Sequence, residues 1–326
     1  MRSVDEARNL LAQGRHADID VWQSPFDVIH DDGLFRLIRY YGGQKTFSIP
    51  VLQVSSYIYR PYILDLQPDV SIVKMIQGHG FAIYQIDWGY PQRIHRCIDI
   101  EDYIDYIDFC VNTVREETGA SQVTLYGCYL GGTLSIVYSA LKPKSIRNLI
   151  VQASPVDFKN AAKIRLCTEA GDTDRIGETP ECIPADLLHP EYAPGEDESR
   201  SIEKHLDNID KFLRVERWLH DCPGIPASAY RRYSREWCGE NKLIKGEFSI
   251  FGCKVDLSRI DMPTLVITAH RDYIAPPAST SPFLDIISSR DKEHLAMDKK
   301  HIGLYVSSDA HRELWPRVCR WLADRS

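Results

Sequence analysis

The run Val123-Thr-Leu-Tyr-Gly-Cys-Tyr-Leu-Gly-Gly-Thr133 does most to limit what this chain can fold into. A short apolar strand leads directly into glycines, and the apolar positions Ile136, Val137 and Ala140 that follow suit a buried helix. A strand that becomes a helix this abruptly forms a nucleophile elbow, in which the residues two before and two after the apex must be small. Gly127 and Gly131 meet that requirement when Tyr129 is the apex. An apex at Cys128 would be flanked by Tyr126 and Leu130, which are too bulky.

The remaining pattern agrees with a sheet covered on both faces. Residues 28–41 read as a hairpin turning at Asp31-Asp32-Gly33, with Phe35, Leu37 and Tyr41 alternating with polar residues. Short Val- and Ile-rich runs follow at 51–54, 81–86, 123–126, 149–151 and 265–268, as in parallel strands buried on both sides. Residues 101–118 form an amphipathic helix with Tyr103, Ile104, Ile107, Cys110, Val111 and Val114 on one face. Between 154 and 261 the alternation stops. A Gly-, Pro- and acid-rich stretch at 172–201 reads as a loop, and 202–222 and 227–243 read as helices anchored by Trp218, Tyr230, Tyr233 and Trp237.

Two further residues follow the elbow in a telling order. Asp272 stands just past the strand at 265–268, and His301 comes after a helix and one more short strand. Nucleophile, then Asp, then His at successive strand ends is the order of the α/β-hydrolase fold. The expected architecture is therefore α/β, a mostly parallel sheet with helices on both faces and an inserted, largely helical cap. Its parts are an N-terminal segment at 1–25, a core at 26–153 and 262–326, and a cap at 154–261. In the site, His301 would be the general base and acid, and Asp272 would hold its tautomer.

Composition narrows the function classes. A net charge of -7 argues against nucleic acid as the main partner, since phosphate binding needs a basic surface. No stretch approaches the roughly 18 apolar residues of a membrane span, and the first residues lack a leader's apolar core. Nine cysteines, odd in number and without a Cys-x-x-Cys pair, read as reduced thiols in a cytoplasm. The 11 histidines show no metal-ligand spacing, so neither metal nor cofactor is expected.

Longer motifs carry a specific resemblance. Arg60-Pro-Tyr-Ile-Leu-Asp-Leu66, Ile86-Asp-Trp-Gly-Tyr-Pro91, the Gly127–Gly132 box and Pro155-Val-Asp-Phe158 are similar to class III polyhydroxyalkanoate synthases. So are Phe212-Leu-Arg through Trp218, Glu240-Asn-Lys-Leu-Ile-Lys-Gly246, the Asp272 loop and His301-Ile-Gly-Leu-Tyr-Val-Ser307. The resemblance implies an acyltransferase that polymerises (R)-3-hydroxyacyl-coenzyme A with release of coenzyme A. It also implies a second synthase subunit, a homo- or hetero-oligomer, and residence at the surface of polyester granules. In that family a cysteine in a Gly-x-Cys-x-Gly-Gly box carries the acyl chain. The N–H of the residue after it, here Leu130, would serve the oxyanion hole.

This sequence departs from the family pattern at three places. Tyr129 holds the nucleophile position with Cys128 one place earlier, Tyr59 replaces an Asn, and Lys300 replaces a Gly before His301. An unperturbed phenol titrates near 10, about three units above neutrality, or roughly 4 kcal/mol to overcome. Its oxygen also reaches about 6.5 Å from the backbone, well beyond a cysteine sulfur. Cys128 would be turned away from the apex as a small buried hydrophobe, unless a one-residue slip of the turn brought its thiol round. The alternatives to an active synthase are a catalytically silent paralogue that binds a partner subunit, or a thioester or polyester hydrolase.

Overall fold

The computed structural model describes residues 19–43, 46–161, 182–183 and 209–326. Most of the expected 172–201 loop, the start of the helix expected at 202, and residues 1–18 lie outside the described residues.

Eight strands form one twisted sheet in the order β1-β2-β4-β3-β5-β6-β9-β10. They are β1 Phe26–Asp31, β2 Arg36–Tyr40, β3 Val51–Val54, β4 Ile83–Asp87, β5 Val123–Cys128, β6 Ile146–Gln152, β9 Thr264–Ala269 and β10 Lys292–Met297. β7 Ser249–Ile250 and β8 Cys253–Lys254 make a separate small hairpin. β1 and β2 pair antiparallel, as does β2 with β4, and every other pairing in the large sheet is parallel. The central strands β3, β4, β5 and β9 are buried at every residue, which is why they read as largely apolar runs without strict alternation.

Helices cover both faces: α1 Ile72–Gly78, α2 Ile100–Thr118, α3 Leu130–Leu141 and, near the C-terminal end, after the short α7 Pro277–Thr280 and α8 Gly303–Val306, α9 Trp315–Ala323. α2 packs on α3, and α1 packs on α9. The buried side of α2 is Ile100, Tyr103, Ile104, Ile107, Cys110, Val111 and Val114, the face expected from the periodicity. Its start is fixed by Asp99, whose side chain accepts from Ile100 N while Asp102 reaches back to the Asp99 N–H.

Two local expectations are corrected. In the first hairpin Tyr40 is the inward residue and donates to Gln85, whereas Tyr41 is 49% exposed beyond the strand end. The turn is built by aspartates, Asp31 accepting from Gly33 N and Asp32 from the N–H groups of Leu34 and Phe35. The helix expected at 227–243 is broken into α5 Ala227–Arg232, a wide π-helical turn Tyr233–Gly239 and α6 Lys242–Lys245. Asn241 causes the break. It adopts left-handed backbone at φ 55°, and its amide clamps the loop after β6 by accepting from Phe158 N and donating to Asp157, each at 2.8 Å.

The segment between β6 and β9 thus seats on the sheet domain through aromatic side chains. Trp237 stacks on Phe158 at 5.6 Å between ring centroids and meets Phe248 edge-on at 5.5 Å. From α4 Ile209–His220, Trp218 stacks on Tyr59 at 4.4 Å and donates its indole N–H to the Arg60 carbonyl at 2.8 Å. Asp221, just beyond α4, accepts from the hydroxyls of Tyr62 and Tyr90.

Candidate active site

The order of the sheet reverses between β3 and its neighbours β4 and β5, and ligands of open α/β sheets bind at the carboxyl ends of strands at such a point. β5 ends there in the tight turn. Tyr129 has φ 50° and ψ -122°, outside the ordinary regions for a side-chain-bearing residue. The glycines around it are required by contact. A Cβ on Gly127 would lie 2.4 Å from Gly132 Cα, and one on Gly131 would lie 2.1 Å from the Ser55 carbonyl. Left-handed backbone falls at Tyr129 and not at Cys128, so the turn has not slipped by a residue. Leu130 opens α3, where a helix N–H has no partner within the helix and is available to a developing negative charge.

Asp272 and His301 come together from the ends of β9 and β10. His301 Nδ1 stands 2.6 Å from Asp272 Oδ2, and both side chains are buried. Asp272 Oδ1 accepts from the N–H groups of Ile274 and Ala275, each at 2.9 Å. These bonds fix the carboxylate, which in turn fixes the imidazole with Nδ1–H toward it and Nε2 free to exchange a proton. The Tyr129 ring stands edge-on to the imidazole, with 5.3 Å between ring centroids and an interplanar angle of 79°. The structure therefore brings Tyr129, His301 and Asp272 into one group at the strand ends.

Cys128 is buried next to the apex, with the Gln53 amide donating to its sulfur at 3.6 Å. Burial pushes its thiol up to about 12, against smaller opposing effects of hydrogen bonds from Tyr126 and Gln53. Gln53 belongs to a polar chain through the sheet: Tyr40 donates to Gln85, Gln85 to Gln53 at 2.8 Å, and Ser55 to Gln53 at 2.9 Å. Phenols close the surroundings. Burial drives Tyr57, Tyr233 and Tyr305 well above their ordinary value, with Tyr129 a further contributor to each shift, so all three are neutral hydroxyls at neutral pH.

A cavity of about 30 Å³ opens among these residues, with Gln53, Ser56, Cys128, Tyr129 and His301 on its walls. That is room for one or two waters, so an acyl chain requires side chains to move. Trp218 and Arg60 also line it. Two of these wall residues, Gln53 and Ser56, escaped the sequence reading, and Trp218 was read there as a helix anchor and motif residue, not as part of the site. Gln53 could have been noticed, because a glutamine interrupts the apolar run Val51–Val54. Ser56 carried no signal of a site, since a loop serine is common everywhere. Among the described residues no helix is long and apolar enough to cross a membrane.

No protein-family model matches the chain. Several curated relatives carry the name poly(3-hydroxyalkanoate) polymerase subunit PhaC. That of Allochromatium vinosum is 33% identical over 321 residues, covering 94% of this chain and 90% of the relative. That of Synechocystis sp. is 33% identical over 327 residues, covering 94% and 86%. That of Haloferax mediterranei is 34% identical over 328 residues, covering 95% of this chain but 66% of the longer relative. Solved structures give the fold: a monoacylglycerol lipase from Paleococcus ferrophilus has a TM-score of 0.58 at 16% identity, covering 87% of this chain and 97% of that one. An epoxide hydrolase from Bacillus megaterium has a TM-score of 0.57 at 13% identity, covering 91% and 100%.

Proposed function

Because the chain belongs to the PhaC family of poly(3-hydroxyalkanoate) polymerases, we propose that it is an acyltransferase acting on (R)-3-hydroxyacyl-coenzyme A, with Tyr129 as the acyl-accepting hydroxyl. The observation that carries this reading is the buried His301–Asp272 pair at 2.6 Å, facing a side chain on strained elbow backbone. In the first half-reaction His301 Nε2 takes the phenol proton as the oxygen attacks the thioester carbonyl carbon. The Leu130 N–H receives the charge that develops on the carbonyl oxygen. The C–S bond then breaks, and coenzyme A leaves with the proton from His301. In the second, the 3-hydroxyl of another acyl unit gives its proton to His301, attacks the aryl ester and restores the phenol.

Leaving-group chemistry supports this cycle. A phenol titrates near 10 and a thiol near 8.5, so an aryl ester lies close to a thioester in its readiness to pass the acyl group on. Activating an unperturbed phenol at neutral pH needs about 4 kcal/mol, within what active sites supply. The proposal extends to the 154–261 segment as a cap over the pocket. It extends also to work in the cytoplasm with a second synthase subunit, in an oligomer at the polyester granule surface, as the family resemblance implies.

One observation favours a second reading. The Tyr129 ring packs edge-on against the imidazole and takes up space beside it, which suits a silent paralogue that binds acyl thioesters or a partner without turnover. Coenzyme A release from (R)-3-hydroxybutyryl-coenzyme A, with and without a class III partner subunit, separates the two. Release that disappears in Tyr129→Phe supports the acyltransferase. No release by folded protein under either condition leaves the binding role.

A further inference from the structure

Arg60 begins the Pro61–Asp65 turn that follows β3, and it is almost wholly buried. Its Nη2 donates to Asp87 Oδ2 at 2.9 Å, and the same carboxylate oxygen also takes Arg36. Two guanidinium groups thus share one carboxylate, leaving an excess positive charge by the cavity wall. The Tyr90 ring covers the guanidinium at 4.5 Å. Yet the Nε and Nη1 groups of Arg60 are buried without a hydrogen-bond acceptor, and so is the hydroxyl of Ser56. These are the residues of the cavity wall whose buried polar atoms lack a partner. Buried donors left unmade are costly, and beside a cavity an acceptor that enters it can satisfy them.

We infer that Arg60, together with Ser56, binds the oxygen at C3 of the substrate acyl chain and so selects 3-oxygenated thioesters over plain fatty acyl thioesters. This rests on the acyl-thioester reading and adds to it a specificity residue. The argument is one of elimination along a short ligand. The thioester carbonyl belongs beside the apex and the Leu130 N–H. Apart from it, the acyl part of a 3-hydroxyacyl thioester carries one further oxygen, at C3. Gln53 and Ser55 are spent on each other and on Cys128, and Trp218 is spent on the Arg60 carbonyl. Ile63 and Leu64 line the same cavity and offer an apolar wall to the alkyl end. A site that commits buried donors to a ligand oxygen rejects the analogue lacking it far more strongly than an apolar pocket rejects a missing methylene.

The test is calorimetric binding of two non-transferable coenzyme A analogues, in which a methylene separates sulfur from the carbonyl, one with the C3 hydroxyl and one without. The full chain is expected to bind the hydroxylated analogue at least about tenfold more tightly. Arg60→Met is expected to bring the two within about twofold, and Arg60→Lys to keep part of the preference. Because Arg60→Met removes one partner of a buried carboxylate, Arg60→Met with Asp87→Asn serves as the second variant if the first does not fold. Equal binding of both analogues by the native chain, or an equal loss of both in the variants, would overturn the inference and leave the acyl-thioester reading standing. Binding of neither analogue would overturn that reading and this inference with it.

Discussion

The acid–base side of the site and the elbow side are held by different means. Asp272 and His301 are placed by side-chain chemistry, a carboxylate that accepts two backbone N–H groups and one imidazole. Tyr129 is placed by the backbone of the turn. The glycines at 127 and 131 close the turn around it whatever side chain it bears. A site held by side chains fails when one of them changes, whereas an elbow held by glycines keeps its shape and accepts a new residue at the apex. That asymmetry explains how a chain can keep the architecture of its family while carrying a phenol where the family resemblance implies a thiol.

The largest expected effect lies on the side-chain-held half. His301→Ala should lower coenzyme A release by about 10³–10⁴-fold. Asp272→Asn should act nearly as strongly, since an amide oxygen still accepts from Ile274 and Ala275 while its NH₂ forces the imidazole into the wrong tautomer. Steady-state release assays on both variants check this. Equal activity in all three proteins would show that the pair is structural and that the chain does not use it.

The next effect lies on the backbone-held half and has the opposite sign. Tyr129→Cys should raise release by roughly tenfold at neutral pH, because a thiol gives up its proton more readily than a phenol in the same setting. The single change is preferable to exchanging residues 128 and 129, because position 128 is enclosed and a tyrosine there would overpack it. Unchanged release in a folded Tyr129→Cys protein would mean that the apex residue is not what limits the reaction.

Much of this division was legible in the sequence, and the reason is physical. The elbow was readable because tight turns demand small residues at fixed offsets, so Gly127 and Gly131 located Tyr129 without a structure. Asp272 and His301 were readable from their order at strand ends. What could not be read were pairings set by the third dimension: Gln53 bonded to Cys128, Asp221 joining Tyr62 and Tyr90, and Arg60 sharing Asp87 with Arg36. Each joins residues on separate elements, and none has a periodicity or spacing to betray it. The helix break at Asn241 was missed for a related reason, since asparagine is tolerated in a helix until a distant loop claims its amide.

A stability measurement sharpens the same comparison at intermediate size. Gly131→Ala should destabilise the fold by about 3 kcal/mol, because its Cβ would meet the Ser55 and Val54 carbonyls, neither of which can move without β3. Gly119→Ala, at φ 70° with open space around it, should cost only about 1 kcal/mol of left-handed strain. Urea denaturation of both variants gives the ratio. Similar losses would mean that the elbow is no more tightly packed than an ordinary helix end.

The smallest effect is expected at Cys128, and its smallness is informative. Its thiol is pushed up to about 12 by burial, so the fold favours the neutral form. The stability tied to this group is complete below the ordinary thiol value of 9.0 and is lost as pH climbs through about 12; nothing changes near neutrality. Cys128→Ala should therefore leave coenzyme A release within about twofold and its pH profile unmoved between 6 and 9. Alkylation mapped by mass spectrometry should label Cys97 and Cys253, which are exposed, at pH 8 while sparing Cys128 in the native chain. Rapid alkylation of Cys128 together with loss of release would mean that the thiol can swing toward His301, and the phenol at the apex would then be a cover over the working nucleophile rather than the nucleophile itself.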